Sequence, residues 1–218
     1  MQVIEIAKFL NILSPVTLTV SLVIGVILYS KIDKLHKDLM LYMFLMLSIE
    51  ICSRILGLWG NNLIILPLYS FIELSFFVYF YNKYLFTKPN KLFIGLGIAG
   101  SIYIIAEILL YFVFNTLNVK QFQPYAKVLD NFIIILMALF FFKEKTSNFK
   151  ESGWGNFRLN TVLLLFFTLT TIIFLPFNFL INAASEVKFY FWMFNVMMLV
   201  MFYLFLTVEV WKNNKVNK

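Results

Sequence analysis

The sequence has one cysteine and one histidine in 218 residues. Cys52 has no second thiol in the chain, which excludes an intramolecular disulfide, and His36 alone excludes a metal site built from several histidines of one chain. Charged residues are also scarce, at 13% where a soluble domain has about 25%. Hydrophobic residues make up 61% of the chain instead. This composition is typical of an integral membrane protein and leaves little sequence for a soluble domain.

Seven apolar runs lie between short polar segments of the chain. A hydrocarbon core of about 30 Å needs about 20 residues of helix, which is close to the length of each run. The sequence therefore predicts an all-α, polytopic bundle of seven transmembrane helices, with residues 1–218 as a single domain and the first thirteen residues as an interfacial turn of helix. The predicted helices are 14–30, 39–60, 62–82, 92–114, 124–142, 160–182 and 188–211.

The distribution of lysine and arginine among the loops predicts the orientation of the chain. Cytoplasmic loops of membrane proteins carry more of these residues than the loops on the other side. Thirteen fall in one set of alternate loops and at the C-terminus, and four in the other set: Lys31, Lys34, Lys37, Lys83, Lys88, Lys91, Lys143, Lys145, Lys150, Arg158, Lys212, Lys215 and Lys218 against Lys8, Lys120, Lys127 and Lys188. The N-terminus is predicted to be extracytoplasmic and the C-terminus cytoplasmic. The net charge of +7 then indicates contact with anionic lipid headgroups, and nucleic acid is not an expected partner.

Charged residues inside the predicted helices are the most informative part of the sequence. Each costs about 2.5–3.5 kcal/mol on insertion scales and therefore needs a partner, a wet cavity or a function. Glu50 and Arg54 are four residues apart in the second helix, with the acid first, which is the favourable order for a helical ion pair. Glu73 lies at a similar depth in the third helix. Arg54 is expected either to neutralise Glu50 or to hold Glu73 or Glu107 on another helix.

Further polar residues occur mostly in the extracytoplasmic halves of the helices. In the fifth helix, Lys127 is expected to extend its ammonium group to the membrane surface. The cytoplasmic halves are apolar and aromatic by comparison, so the sequence predicts a polar cavity in the extracytoplasmic half. Interhelical hydrogen bonding is the competing interpretation for the asparagines. The candidate ligand-binding or polar-network residues are Glu50, Arg54, Glu73, Tyr103, Glu107, Asp130, Asn178, Asn182 and Asn195.

No cofactor, metal or catalytic residue is predicted. Residues 95–100 fit the G-x-G-x-x-G pattern of dinucleotide-binding proteins, but they lie inside a predicted membrane helix with no strand before them. Their small side chains favour close helix packing. Retinal would require a lysine within the seventh helix, and the lysines nearest to it, Lys188 and Lys212, lie at its two ends.

Two segments carry a resemblance to other proteins: GNNLIILPLYSFIELSFFVYFY at residues 60–81 and IEICSRILG at residues 49–57. They resemble small seven-helix proteins of unassigned function from AT-rich, Bacteroidota-type bacteria. The resemblance covers the second and third helices. It implies a location in the bacterial inner membrane and a shared importance of five residues: Glu50, Arg54, Asn61, Asn62 and Glu73.

Three classes of function are left open by these residues. The polar cavity favours a protein that binds, senses or transports a small polar or lipid-like ligand. The basic cytoplasmic loops are compatible with an oligomeric membrane effector or accessory protein, for example in antiphage defence, that acts with a cytoplasmic partner. The carboxylates would also allow an intramembrane lipid hydrolase, in which Glu73 acts with Glu107 or Glu50 beside Arg54. Membrane lipids are expected partners of each class, and a small polar ligand, a cytoplasmic protein or a second copy of the chain are further candidates.

Overall fold

A computed structural model describes the chain except for residues 1–2, 61, 115, 118–121, 148–155, 181–186 and 217–218. The described residues form helices and short connections, with no strand among them. Two of the helices end in a π-helical turn, Tyr81–Leu85 after α3 and Leu109–Val113 after α4. The α-helices are α1 (Val3–Leu28), α2 (Lys34–Leu58), α3 (Ile65–Phe80), α4 (Lys91–Ile108), α5 (Tyr125–Ser147), α6 (Phe157–Leu180) and α7 (Val187–Val216).

Seven helices in the described part of the chain are long and apolar enough to cross a membrane, which confirms the predicted number of candidate membrane helices. Seven such helices indicate a multi-pass membrane protein. The predicted start of the first helix was wrong, because α1 begins at Val3 and its apolar part at Phe9. Pro15 lies inside this helix without ending it. Proline removes one backbone hydrogen bond, and the carbonyl group that it leaves free has another partner, described below.

Side-chain caps define where two of the helices begin. The carboxylate of Asp33 accepts the backbone N–H of His36 at 2.9 Å at the start of α2, and Asn90 accepts the N–H of Leu92 at 3.0 Å at the start of α4. Asp33 also binds the end of α7, since its backbone N–H and its carboxylate are both hydrogen-bonded to the Asn213 amide at 3.0 Å. Partial burial raises the pKa of Asp33, but the interactions with His36 and Asn213 together lower it by more than burial raises it. The pKa of Asp33 therefore lies below its usual value.

The helices form two compact units. Unit 1 comprises Met1–Ile65 and Ala183–Lys218, and unit 2 comprises Leu66–Asn182. In unit 1, helices α1, α2 and α7 pack against one another. Gly25 of α1 allows this, because a Cβ atom there would lie 2.5 Å from the Met40 side chain of α2.

Unit 2 contains α4, α5, α6 and nearly all of α3. Aromatic side chains fill its core, as where Phe77 of α3 meets Phe167 of α6 with ring centroids 5.0 Å apart. Two glycines of α4 allow close packing: a Cβ atom at Gly97 would lie 2.6 Å from Val78 of α3, and one at Gly100 would meet side chains of both α3 and α5. Gly97 and Gly100 therefore mark helix contacts, as the sequence indicated, whereas a Cβ atom at Gly95 would have no atom within 4 Å.

Candidate functional site

Three charged side chains of unit 2 are buried together. The Lys127 ammonium group donates a hydrogen bond to Glu73 Oε2 and lies 3.2 Å from Asp130 Oδ2. Lys127 is 4% exposed, and both carboxylate residues are 0% exposed. These three residues, called here the unit 2 cluster, contain two carboxylates and one ammonium group. Burial without such pairing would cost several kcal/mol for each charge.

Aromatic rings complete the surroundings of the ammonium group. The Lys127 Nζ atom lies 4.8 Å from the centroid of the Tyr69 ring and 5.8 Å from that of Phe167. The face of an aromatic ring attracts cations, most strongly where water is excluded. Tyr69 is also one helical turn before Glu73 on α3, so one face of that helix supplies both a ring and a carboxylate. The cluster thus has the chemistry of a binding site for a cationic group.

Helix geometry positions the two carboxylates around Lys127. Asp130 is three residues after Lys127 on α5, a spacing that brings side chains to the same face. The Asp130 carboxylate is itself oriented by the backbone N–H of Asn131, at 2.5 Å. Glu73 reaches the same ammonium group from α3. The cluster therefore lies in the first turns of α5, next to Glu73 at the middle of α3.

Glu107 of α4 binds the start of α5 next to the cluster. Its Oε2 atom accepts the backbone N–H of Ala126 at 3.1 Å, in the first helical turn, where N–H groups have no partner within their own helix. A carboxylate at this end also interacts favourably with the helix dipole. Tyr103, which was predicted to share a face with Glu107, interacts electrostatically with its carboxylate but is 44% exposed.

Several buried polar atoms near the cluster have no hydrogen-bond partner among the described residues. They are Ser70 Oγ, Glu107 Oε1 and both side-chain amide atoms of Asn131. Each belongs to a residue adjacent to the cluster: Ser70 precedes Glu73 by one turn, Asn131 follows Asp130, and Glu107 binds the residue before Lys127. Buried polar groups normally have partners, so these atoms are available to a small polar or charged molecule.

Unit 1 contains a separate polar network around Glu50 and Arg54. The Arg54 guanidinium lies 3.8 Å from Glu50, as their spacing predicted, and Ser14 donates a hydrogen bond to that carboxylate at 3.0 Å. Arg54 also donates to the carbonyl oxygen of Asn11 at 2.6 Å. This carbonyl is the one that Pro15, four residues later, leaves without its helical hydrogen bond. Arg54 therefore compensates for the proline as well as for the acid, and its side chain is 40% exposed.

The remaining predicted site residues are distributed as follows. Asn195 of α7 belongs to unit 1, is buried, and has an Oδ1 atom with no hydrogen-bond partner in the described part of the chain. The Asn178 side chain and all of Asn182 lie outside the described residues. Glu73, Glu107 and Asp130 come together in unit 2, whereas Glu50 and Arg54 form the network of unit 1.

The expectation for Lys127 was wrong. A lysine in the first turn of a membrane helix was predicted to extend to the membrane surface, but its ammonium group is buried against Glu73 and Asp130. Two carboxylates and an aromatic ring supply more favourable contacts than the surface does. In the sequence, the three-residue spacing of Lys127 and Asp130 was the signal that could have predicted their ion pair.

The sequence interpretation also missed a polar contact at the opposite end of unit 2. The Tyr81 hydroxyl donates to Asn160 Oδ1 at 2.8 Å, and the Asn160 amide donates to the carbonyl oxygen of Ala138 at 3.1 Å. Both side chains are fully buried, so this part of unit 2 is not purely apolar. The contact joins α5 and α6 to the π-helical turn after α3. Neither residue had a sequence signal that distinguished it from an interfacial residue.

Comparisons with protein-family models, curated proteins and solved structures found no match to this chain. A functional assignment therefore depends on the chemistry of the residues themselves. The unit 2 cluster has the most distinctive chemistry among the described residues, because it combines burial, two carboxyl side chains around one ammonium group, and neighbouring polar atoms that lack partners.

Proposed function

We propose that this chain is a multi-pass protein of the bacterial inner membrane that binds a small polar or cationic ligand at the unit 2 cluster. Binding serves either sensing or transport of that ligand. The observation that carries the proposal is the burial of Lys127 between Glu73 and Asp130 within the apolar helices of unit 2. The location in the inner membrane is what the resemblance of the second and third helices implies, and that resemblance includes Glu73.

The energetic cost of the cluster supports a functional role. Each buried charge is expensive in a membrane helix, and well-packed apolar residues of similar volume often stabilise a protein as well as a buried ion pair does. Packing alone therefore does not require three charges at this place. In addition, the cluster has two carboxyl side chains for one ammonium group. Their oxygen atoms would accept hydrogen bonds from, or pair with, a cationic or hydrogen-bond-donating ligand.

The position of the cluster supports entry from one side of the membrane. If α3 crosses the membrane in one direction and α4 returns in the other, the start of α3, the end of α4 and the start of α5 all face the same side. The distribution of lysine and arginine assigns that side as extracytoplasmic. The ligand would thus enter from outside the cell and meet Glu107 and the unit 2 cluster.

Reporter fusions test this orientation. Fusions after Lys37, Lys88 and Ser147 are expected to report a cytoplasmic location, and fusions after Asn62 and Thr116 an extracytoplasmic one, because consecutive loops alternate between the two sides. The measurement is the ratio of alkaline phosphatase to fluorescent-protein activity at each site. Two consecutive loops that report the same side would contradict seven spans with the N-terminus outside.

Neutralising single carboxylates tests ligand binding. Glu73→Gln and Glu107→Gln are each expected to weaken binding about tenfold to a hundredfold, the equivalent of about 1.5–3 kcal/mol for one charged hydrogen bond. Unfolding should change by no more than about 1 kcal/mol, because Lys127 retains Asp130 in the first variant and a glutamine oxygen still accepts the Ala126 N–H in the second.

The measurement combines native mass spectrometry of protein released from lipid discs with thermal shifts in ethanolamine and choline. Glu144→Gln is the matched control, since Glu144 is also a carboxylate of unit 2 but accepts the backbone N–H of Thr87 at the opposite end of α5. The proposal is wrong if both site variants change the melting temperature while the bound species and the shifts stay the same as in the control.

A further inference from the structure

Lys127 occupies a site that would suit any small cation. Its ammonium group touches two carboxylates and faces the rings of Tyr69 and Phe167. None of these contacts depends on the rest of the lysine side chain. A free cation of similar size and charge would meet the same carboxylate oxygens and the same rings.

A second position for the Lys127 ammonium group is the membrane surface. It lies in the first turn of α5, at the end of the span, and lysine side chains in this position commonly extend their ammonium groups to the membrane surface. That extended position is the one that the sequence pattern favours, while the structure contains the buried one. The long flexible stem of lysine would reach the extended position by rotation about its own bonds.

Polar groups remain for a cation after Lys127 has left. The oxygen of the Asn131 side-chain amide and Glu107 Oε1 are buried and have no hydrogen-bond partner in the part of the chain that the structure describes. Asn131 lies one turn after Lys127 on α5 and Glu107 binds the residue before Lys127, so we expect their oxygen atoms to add to those of Glu73 and Asp130 as ligands. One wall of the site is aromatic, which suits a monovalent cation better than a divalent metal ion that needs at least six oxygen ligands.

We infer that Lys127 is a tethered counter-cation, which occupies the Glu73 and Asp130 carboxylates until a small monovalent cation displaces it. This inference rests on the proposed function and gives the ligand a chemical class. Binding exchanges one positive charge for another, so the net charge of the buried site is the same before and after. The ammonium group released to the surface would then report the presence of the ligand or allow its passage.

Amine labelling of the unaltered protein tests the exchange. Protein in lipid discs is acetylated with an N-hydroxysuccinimide ester while NaCl or KCl replaces tetraethylammonium chloride at constant ionic strength, and labelling of each lysine is measured by peptide mass spectrometry. Labelling of Lys127 should rise about tenfold if the released state increases from about 1% to about 10% of the molecules. The exposed Lys91 and Lys143 should change little and serve as internal controls.

Two variants make the test specific to the carboxylate pair. Glu73→Gln leaves one carboxylate for Lys127 and none in excess, so labelling of Lys127 should stay low at every salt concentration. Glu144→Gln should respond as the unaltered protein does. The inference is overturned by constant Lys127 labelling in the unaltered protein, by an equal response in Glu73→Gln, or by a response to CaCl₂ but not to NaCl or KCl.

Failure of this inference differs from failure of the proposed function. If Glu73→Gln loses a co-purified species or an ethanolamine shift while Lys127 labelling is constant, the cluster binds a ligand without displacing the lysine. If neither Glu73→Gln nor Glu107→Gln changes any bound species, and labelling of Lys127 in the unaltered protein is also constant, both proposals are wrong.

Discussion

Replacing Lys127 with methionine is expected to lower the free energy of unfolding by about 3–5 kcal/mol, the largest loss for any single charge in the chain. Methionine has a similar shape but removes the ammonium group, so Glu73 and Asp130 remain buried beside each other without a counter-charge. Two carboxylates that share one buried site repel each other strongly in a low-dielectric environment. The loss is measured by reversible unfolding in mixed detergent micelles.

Arg54→Leu is the variant whose loss of stability should be compared with that of Lys127→Met. Arg54 also has a carboxylate partner within its own helix, but its side chain is 40% exposed and lies 3.8 Å from Glu50. Its loss should therefore be the smaller of the two. Asp130→Asn in the Lys127→Met background should recover much of the stability, because it removes one of the two uncompensated carboxylates. A Lys127→Met protein as stable as the unaltered one would show that the cluster is not held by this ion pair.

The number of helices was predictable from hydropathy, but their ends and groupings were not. An apolar run of about 20 residues is sufficient to predict a span. The start of α1 was missed because residues 3–13 are polar enough to resemble an interface, although they continue the same helix. The assignment of α1, α2 and α7 to one unit depends on side-chain packing between distant segments, as at Gly25 and Met40. The single domain over residues 1–218 and the orientation stay predictions.

The candidate site was partly predictable for a related reason. The Glu50 and Arg54 contact is within one helix, and a spacing of four residues is enough to expect it. The partner of Glu73 lies on another helix, and no spacing in the sequence identifies it. Lys127 fits two environments equally well from its position in the chain, the membrane surface and the helix interface. Only the rotation of α5, which faces Lys127 towards Glu73, decides between them.

Replacing Gly97 with leucine is expected to destabilise unit 2 by about 3 kcal/mol, at the upper end of the effect of overpacking. A Cβ atom at this position would lie 2.6 Å from Val78 Cγ2 and 3.3 Å from Val78 Cβ, both on α3. Valine is branched at Cβ and cannot rotate its side chain out of the way. Helices α3 and α4 would therefore have to separate, which would also move Glu73 and Glu107 relative to each other.

Gly95→Leu is the matched control, because it places the same side chain on the same helix. A Cβ atom at Gly95 would have no atom within 4 Å, and removal of a glycine from a helix gains up to about 1 kcal/mol. Thermal unfolding of the two variants in the same lipid should separate them clearly, with Gly97→Leu also losing the ethanolamine or choline shift. Equal stability of the two variants would mean that α3 and α4 are not closely packed at Gly97. The glycine-rich segment would then need an explanation other than helix contact.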